Sequence, residues 1–187
     1  MKEIIWIYGS SASGKETFLN QLQDNSNTSF LKKLNLKNKN IQILEQSINL
    51  IGQFDNDPKQ KLRLNFKNYI SNLIKQDNKI ESILIKGQDY DLENKTPQKI
   101  KDIFPNFTHR IIFLHCDFEI LYKRVKNKSW WTKDLENQGI QYFKNWLIKE
   151  QLPELIKLNK IHKFEILTID SSTKEYNIIN FPKELIK

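Results

Sequence analysis

The stretch Gly9-Ser10-Ser11-Ala12-Ser13-Gly14-Lys15-Glu16-Thr17 decides the fold of this 187-residue chain. It follows the apolar run Ile4-Ile5-Trp6-Ile7-Tyr8 and precedes the segment Phe18-Leu19-Asn20-Gln21-Leu22. The first run is rich in β-branched and aromatic residues, which favours a buried strand. Two glycines separated by four residues allow a tight turn between that strand and a helix. The sequence therefore predicts a strand, a tight loop and a helix in direct succession.

The spacing Gly-x4-Gly-Lys also predicts what this loop binds. Successive backbone N–H groups in such a loop curl around phosphate oxygens, and the N-terminus of the helix lies behind them. The ammonium of Lys15 then faces the β and γ phosphates of a nucleoside triphosphate. We therefore interpret residues 9–17 as a nucleotide-binding loop in which Lys15 is a catalytic cation. An ordinary strand-to-helix turn needs neither both glycines nor the lysine.

One position departs from the usual pattern of such loops. The residue after the lysine normally carries a hydroxyl that ligates Mg²⁺, but here Glu16 stands there and Thr17 follows it. In this respect the loop resembles that of adenylate kinases and related nucleoside monophosphate kinases, which read Gly-Lys-Gly-Thr. The resemblance implies a small kinase that uses ATP and holds Mg²⁺ largely through water, with Thr17 at the phosphates or the metal. Glu16 also suits the first turn of a helix, because a carboxylate is favourable near the positive end of the helix dipole.

Length and composition indicate one domain, spanning residues 1–187. A chain that is 39% hydrophobic is long enough for one α/β core and short for two domains. No stretch approaches the roughly 18 consecutive apolar residues of a membrane span, so we expect a cytoplasmic protein. The single Cys116 lies in an apolar run, which predicts a buried thiol and excludes a disulfide scaffold.

The net charge of +8 is compatible with two classes of partner. A nucleic acid would be favoured by clustered arginines, because bidentate phosphate recognition draws on them. This chain has three arginines, and its lysines are scattered. A soluble enzyme with a polyphosphate substrate accounts for the charge equally well, and we favour it over a nucleic-acid partner.

Short β-rich runs alternate with helix-length segments along the chain, which predicts an α/β fold with helices on both faces of a parallel sheet. We predict helices after the loop to about residue 24, over 58–75 and 118–127, and over 135–158 with a disturbance at Pro153. Residues 24–40 are predicted to be loop with at most a short helix. The predicted strands number five and span residues 3–8, 41–45, 82–86, 110–116 and 164–169. This layout resembles the three-layer P-loop kinase arrangement, in which the loop lies at the carboxyl edge of the sheet.

Acids that follow the third predicted strand are the first candidates for further chemistry. Asp89 and Asp91 are both placed to accept a proton from an attacking hydroxyl or to bind water on Mg²⁺. The alternative is a plain turn with Asp91 capping a helix. Lys86 and Gly87 stand where nucleoside monophosphate kinases usually carry Asp-Gly, so a different acceptor becomes more plausible.

Two further residues are candidates for acceptor binding. Glu45 ends the second predicted strand, where nucleoside kinases place a base toward the acceptor hydroxyl. Arg63 lies on the following predicted helix, where the substrate-binding part of these kinases places a phosphate-binding arginine. A polar strand end and an exposed helix charge are the respective alternatives.

The segment after the fourth predicted strand resembles the approach to the lid of P-loop kinases, and we place a lid around residues 124–135. Arg124 is its best candidate for a cation that offsets charge on the transferring phosphoryl group. Lys128 follows where a second arginine is common. The pair Trp130-Trp131 either stacks on a base or closes a hydrophobic edge, and we favour the edge.

Together these residues predict an ATP- and Mg²⁺-dependent kinase that acts on a small acceptor, a nucleoside or a nucleotide. Lys15, Asp89, Asp91 and Arg124 are the predicted catalytic residues, with Thr17 and Asp89 at the metal. A polynucleotide kinase and a regulatory NTPase are the alternatives.

Overall fold

The computed structural model describes residues 2–23, 28–36, 39–45, 68–87, 92–93, 95–173 and 175–181. Within these ranges one sheet contains β1 (Glu3–Gly9), β2 (Ile41–Glu45), β3 (Ser82–Lys86), β4 (Thr108–His115), β5 (Glu165–Asp170) and β6 (Asn177–Ile179). The strand order is β2-β3-β1-β4-β5-β6. Strands β1 to β5 are parallel, and β6 pairs antiparallel with β5. Strand β1 therefore lies at the centre, so the loop that follows it opens near the middle of the carboxyl edge.

Helices connect the strands and cover the sheet. They are α1 (Lys15–Gln23), α2 (Thr28–Lys33), α3 (described over 68–76), α4 (Thr96–Ile103), α5 (Phe118–Val125), α6 (Lys133–Gln138), α7 (Ile140–Asn145) and α8 (Leu152–Lys160). A π-helical segment, Trp146–Gln151, joins α7 to α8.

Both faces of the sheet are buried, because side chains alternate along each strand. On one face, Trp6 and Tyr8 stack with their ring centroids 5.9 Å apart, in a cluster that includes Leu155 of α8. On the other face, Ile5 and Ile7 belong to a second cluster with residues of α1 and α2. Residues 4–8 are fully buried. This two-sided burial explains why β1 is an uninterrupted apolar run.

The predicted α/β fold with helices on both faces of a parallel sheet is confirmed, with three differences in detail. The sheet has a sixth strand, β6, which is only three residues long and carries no strand pattern of its own. Helix α4 was not predicted, and the helix predicted over 135–158 is interrupted at Gly139, where α6 ends and α7 begins. The six-residue helix α2 lies in the segment for which at most a short helix was predicted. The disturbance predicted at Pro153 is the π-helical segment just before it, because proline cannot donate the N–H that would continue a regular helix.

A group of charged side chains is buried at the amino edge of the sheet. Glu3 is 4% exposed and accepts hydrogen bonds from Lys39 Nζ at 2.6 Å and Ser82 Oγ at 2.6 Å, while Arg110 Nη1 lies 3.3 Å from its other oxygen. Burial alone would raise the pKa of Glu3, but these partners outweigh it and lower that pKa. The cluster holds the chain before β2 against β1, β3 and β4.

Two histidines on β4 make the stability of the fold sensitive to acid. His109 is 5% exposed, and its Nε2 lies 2.8 Å from Phe104 O. Burial lowers the pKa of His109 below 6.5, and the hydrogen bond to Phe104 O only partly opposes this. Burial also lowers the pKa of His115. Both shifts disfavour the protonated imidazole in the folded chain.

We expect the free energy of unfolding to fall as the pH is lowered from about 7.5 to about 5.5. Below the ordinary histidine pKa the unfolded chain takes up protons that the folded chain refuses, so each histidine contributes a slope of up to about 1.4 kcal/mol per pH unit. Urea unfolding at several pH values measures this slope. The variant His109→Gln keeps an N–H donor for Phe104 O but cannot be protonated, and it is expected to show a shallower slope. An unchanged slope would contradict the assignment to His109.

None of the helices in the described ranges has the length and apolar character needed to cross a bilayer.

Candidate functional site

The loop at the end of β1 is held in a conformation that glycine makes accessible. Gly9 has φ +149°, and a Cβ built on it would lie 2.5 Å from Leu114 O and 2.6 Å from Ser13 Oγ. Gly14 has φ +93°, and Ala12 between them has φ +63°. Ser13 N donates to Ser10 O at 3.1 Å, which closes the turn. These positive φ values curl the backbone between β1 and α1, as the spacing of the two glycines predicts.

Lys15 begins α1 and bonds back to this loop. Its Nζ donates to Gly9 O at 2.5 Å and to Ser10 O at 3.1 Å. These bonds hold the ammonium inside the curl of the backbone, next to the N-terminus of α1. Glu16 and Thr17 follow with exposed side chains. A helix N-terminus, a curled backbone and an ammonium together favour an anion.

Arg124 reaches the loop from the last turn of α5. Asp117 starts that helix by accepting hydrogen bonds from Glu119 N and Ile120 N. At the penultimate position of the helix, Arg124 Nη1 donates to Ala12 O at 3.1 Å and lies 3.4 Å from Cys116 Sγ. The structure therefore places the predicted lid arginine directly against the loop of residues 9–17.

Cys116 is buried, as predicted, and burial raises the pKa of its thiol. The neighbouring Arg124 opposes that shift only in part. A neutral, buried thiol is a poor nucleophile, so its place in the structure is packing beneath the loop.

Ser171, just after β5, is a residue whose role sequence reasoning missed. It is 3% exposed, and its Oγ lies 2.7 Å from Ser13 O and 2.8 Å from His115 O. Its backbone N–H also donates to His115 O at 2.7 Å. Ser171 thus ties the phosphate-binding loop to the end of β4. The signal for it in the sequence is weak: a serine two residues after the strand predicted over 164–169.

Gly87, at the end of β3, supports the same edge of the sheet. A Cβ there would collide with the ring of Tyr8, whose side chain is fully buried. Gly87 N donates to Ile7 O at 2.9 Å. The chain after β3 therefore passes directly beneath the start of the loop, which explains the glycine at this position.

These elements surround a cavity of about 1100 Å³ at the carboxyl edge of the sheet. Within the described part of the chain, the cationic residues that line it are Lys15, Lys86, Arg124 and Lys128. The remaining lining residues are Ser11, Ala12, Gly14, Glu16, Thr17, Gln21, Trp130, Ser171, Ser172, Thr173 and Tyr176. The cavity thus brings together most of residues 9–17 with Arg124, which is 107 residues or more away in the sequence.

Other predicted site residues cannot be placed in this cavity. Asp89, Asp91 and Arg63 lie outside the described residues, as does the side chain of Glu45. The backbone of Glu45 ends β2 and pairs with Lys86 of β3. The roles of these four residues stay predictions.

Comparison with known proteins agrees with this geometry. The sequence model of the AAA domain family matches residues 5–144. No curated protein matches the chain. Among solved structures, the chain is similar to one from the PezAT chromosomal toxin-antitoxin system of Streptococcus pneumoniae, with 15% identity over 96% of this chain and 71% of that one, and a TM-score of 0.51.

Two further solved structures have lower TM-scores. YorR of Bacillus subtilis, solved in complex with phosphorylated GDP, is 15% identical over 91% of this chain and 86% of its own, with a TM-score of 0.47. A sugar kinase from Janibacter sp. HTCC2649 is 13% identical over 100% of this chain and 91% of its own, also at 0.47.

Proposed function

This chain belongs to the AAA domain family, and from that premise we propose that it is an ATP-dependent phosphotransferase acting on a small acceptor, a nucleoside or a nucleotide. The fold is of the P-loop kinase type. The observation that carries the proposal is the large cavity that opens on the phosphate-binding loop and is lined by Lys15, Arg124 and two further lysines. A triphosphate occupies only part of such a space, which leaves room for an acceptor beside it.

The residues present fit a triphosphate. Gly9 has no side chain, and a Cβ there would obstruct the tight turn of the loop. Lys15 already lies within the curl of the loop. ATP would supply the transferable phosphoryl group, and Mg²⁺ would neutralise part of the charge on its phosphates. The proposed contacts to the metal are the exposed hydroxyl of Thr17 and the carboxylate of Asp89, which lies outside the described residues.

Each cation has a distinct part in the proposal. Lys15 binds the β and γ phosphates from inside the loop. Arg124, held against Ala12 O, stabilises the charge that spreads over the transferring phosphoryl group. Ser171 positions the loop through Ser13 O. An acid among Asp89, Asp91 and Glu45 orients the acceptor hydroxyl.

A screen of ATP consumption against classes of acceptor tests the proposal. Nucleosides, nucleotides, sugars and oligonucleotides with a free 5′-hydroxyl are each added to the full chain, with Lys15→Ala as the background. We expect one small-molecule class to raise turnover at least about tenfold above basal hydrolysis, because acceptor and donor are then held in one geometry.

Three outcomes oppose this expectation, and they point in different directions. If no acceptor raises turnover, the kinase proposal fails and a regulatory NTPase is favoured. If only oligonucleotides raise it, and salt weakens their binding steeply, the protein is a polynucleotide kinase. If Lys15→Ala consumes ATP as fast as the unaltered chain, the turnover does not come from this cavity.

A further inference from the structure

Two adjacent tryptophans separate into different environments beside the cavity. Trp131 is 8% exposed and stacks on Phe143, with centroids 5.6 Å apart and an interplanar angle of 4°. Tyr122 and Tyr142 contact its ring at steep angles. Trp131 N also donates to Lys128 O at 2.9 Å. Trp131 is thus fixed in an aromatic cluster between α5 and α7, which is the edge-closing role that the sequence allowed for the pair.

Trp130 has the opposite character. Its ring meets that of Trp131 at 79°, with centroids 5.7 Å apart, yet it remains 41% exposed. Exposed large hydrophobic residues in the described part of the chain are Trp130, Ile148, Ile161 and Ile178, and of these Trp130 is the one that lines the cavity. The edge contact with the buried ring of Trp131 positions the exposed ring of Trp130 at the cavity.

The chemistry of the surrounding lining indicates what this ring contacts. Lys128 and Arg124 line the same cavity, as does Lys15 of the loop. An aromatic plane beside several cations is complementary to a molecule that carries both a flat ring and phosphate groups. A neutral sugar has neither feature. Stacking of an aromatic side chain on a nucleic-acid base contributes about 1–3 kcal/mol.

We infer that Trp130 stacks on the base of a nucleotide bound in this cavity. The inference rests on the proposed function, since it assumes that nucleotides bind at the loop, and it assigns a residue to base recognition. The base belongs either to the ATP donor or to a nucleotide acceptor, and binding measurements distinguish the two sources.

Calorimetric titration of the full chain tests this assignment. The unaltered chain and Trp130→Ala are titrated with ATP, with inorganic tripolyphosphate and with each of the four nucleoside monophosphates. Trp130→Phe retains an aromatic ring, and Ile161→Ala removes an exposed hydrophobic side chain away from the cavity. If Trp130→Ala does not fold, Trp130→Leu replaces it, because leucine keeps apolar bulk without a plane for stacking.

If the donor base stacks on Trp130, the Kd for ATP rises about 5- to 140-fold in Trp130→Ala, whereas the Kd for tripolyphosphate is unchanged. If the acceptor base stacks there, ATP binding is unchanged and the affinity for a nucleoside monophosphate falls instead. Trp130→Phe is expected to lose less nucleotide affinity than Trp130→Ala, and Ile161→Ala is expected to bind nucleotides as tightly as the unaltered chain.

Equal losses for ATP and tripolyphosphate would overturn the inference, because Trp130 would then shape only the phosphate-binding loop. Unchanged affinity for every nucleotide would overturn it as well. Failure of the proposed function would give a different result. If binding depends on the base through Trp130 but no acceptor stimulates turnover, the kinase proposal fails and the stacking inference stands. If an acceptor stimulates turnover but binding does not depend on Trp130, the stacking inference fails and the kinase proposal stands.

Discussion

Lys15→Ala is expected to lower kcat/KM for ATP turnover by about 100- to 1,000-fold, the usual effect of removing one preorganised donor from a transition state. The ammonium lies inside the curl of the loop, where Gly9 O and Ser10 O hold it. Because charge builds up on the phosphoryl oxygens during transfer, a cation held in this position stabilises the transition state more than the ground state. Alanine removes the charge and both hydrogen bonds.

The effect on stability is a separate quantity. One hydrogen bond from a charged donor contributes about 1.5 to 3 kcal/mol, so the loss of the two bonds to Gly9 O and Ser10 O costs at most about 3 to 6 kcal/mol and lowers the Tm of a chain of this size by at most about 6 to 24 °C. Steady-state ATP turnover and thermal unfolding measure the two effects separately. Lys160→Ala, on the exposed end of α8, is the matched control and should change neither. Lys15→Arg should recover only part of the activity, because its planar fork does not reproduce the point charge.

Loss of turnover in step with loss of folded protein would mean that Lys15 is structural. Full turnover in Lys15→Ala, with the fold intact, would remove the lysine from the site altogether.

Residues 3–23 illustrate why part of the fold could be predicted. Strand β1, the loop and α1 follow one another in the sequence, so local composition and the spacing of two glycines were sufficient. Helix α4 shows the opposite case. It begins after Lys95, which has φ +57°, it carries Pro97 in its first turn, and its buried residues are Pro97 and Ile100. A short helix with so small a buried face has little local signal, so its formation depends on the surface against which it packs.

The site shows more clearly that contacts between distant residues cannot be predicted from local sequence. The loop itself was predicted, but the hydrogen bond from Ser171 Oγ to Ser13 O joins residues 158 positions apart, and no local pattern indicates it. Trp130 and Trp131 are chemically identical neighbours, yet one is exposed and the other buried. Their difference arises from the aromatic cluster that Phe143 and Tyr142 of α7 build around Trp131. Which of two adjacent tryptophans is buried therefore depends on the packing of elements that are distant in the sequence.

Gly9→Ala is expected to lower the free energy of unfolding by about 2 to 6 kcal/mol and to abolish ATP binding at micromolar concentrations. Two costs add at this position: the strain of a φ of +149°, roughly 1–3 kcal/mol, and the collision of a Cβ with Leu114 O and Ser13 Oγ, of similar size. Leu114 O is backbone of the central sheet and cannot move aside. The strain is therefore released by displacing the loop, and with it Ser13 and the carbonyl of Gly9 that holds Lys15.

Gly139→Ala provides the comparison that separates these costs. Gly139 also has a positive φ, of +52°, but a Cβ there would lie 3.8 Å from its nearest neighbour, Glu136 O, and the residue does not line the cavity. Because its ψ is −132°, outside the left-handed helical region, we expect a loss of about 1 to 3 kcal/mol from backbone strain alone and unchanged ATP affinity. Urea unfolding and calorimetric titration measure both quantities for both variants. If Gly9→Ala bound ATP as tightly as the unaltered chain, the loop conformation described here would not be the one that binds phosphate, because a bound triphosphate requires the same curl of backbone that the new Cβ obstructs.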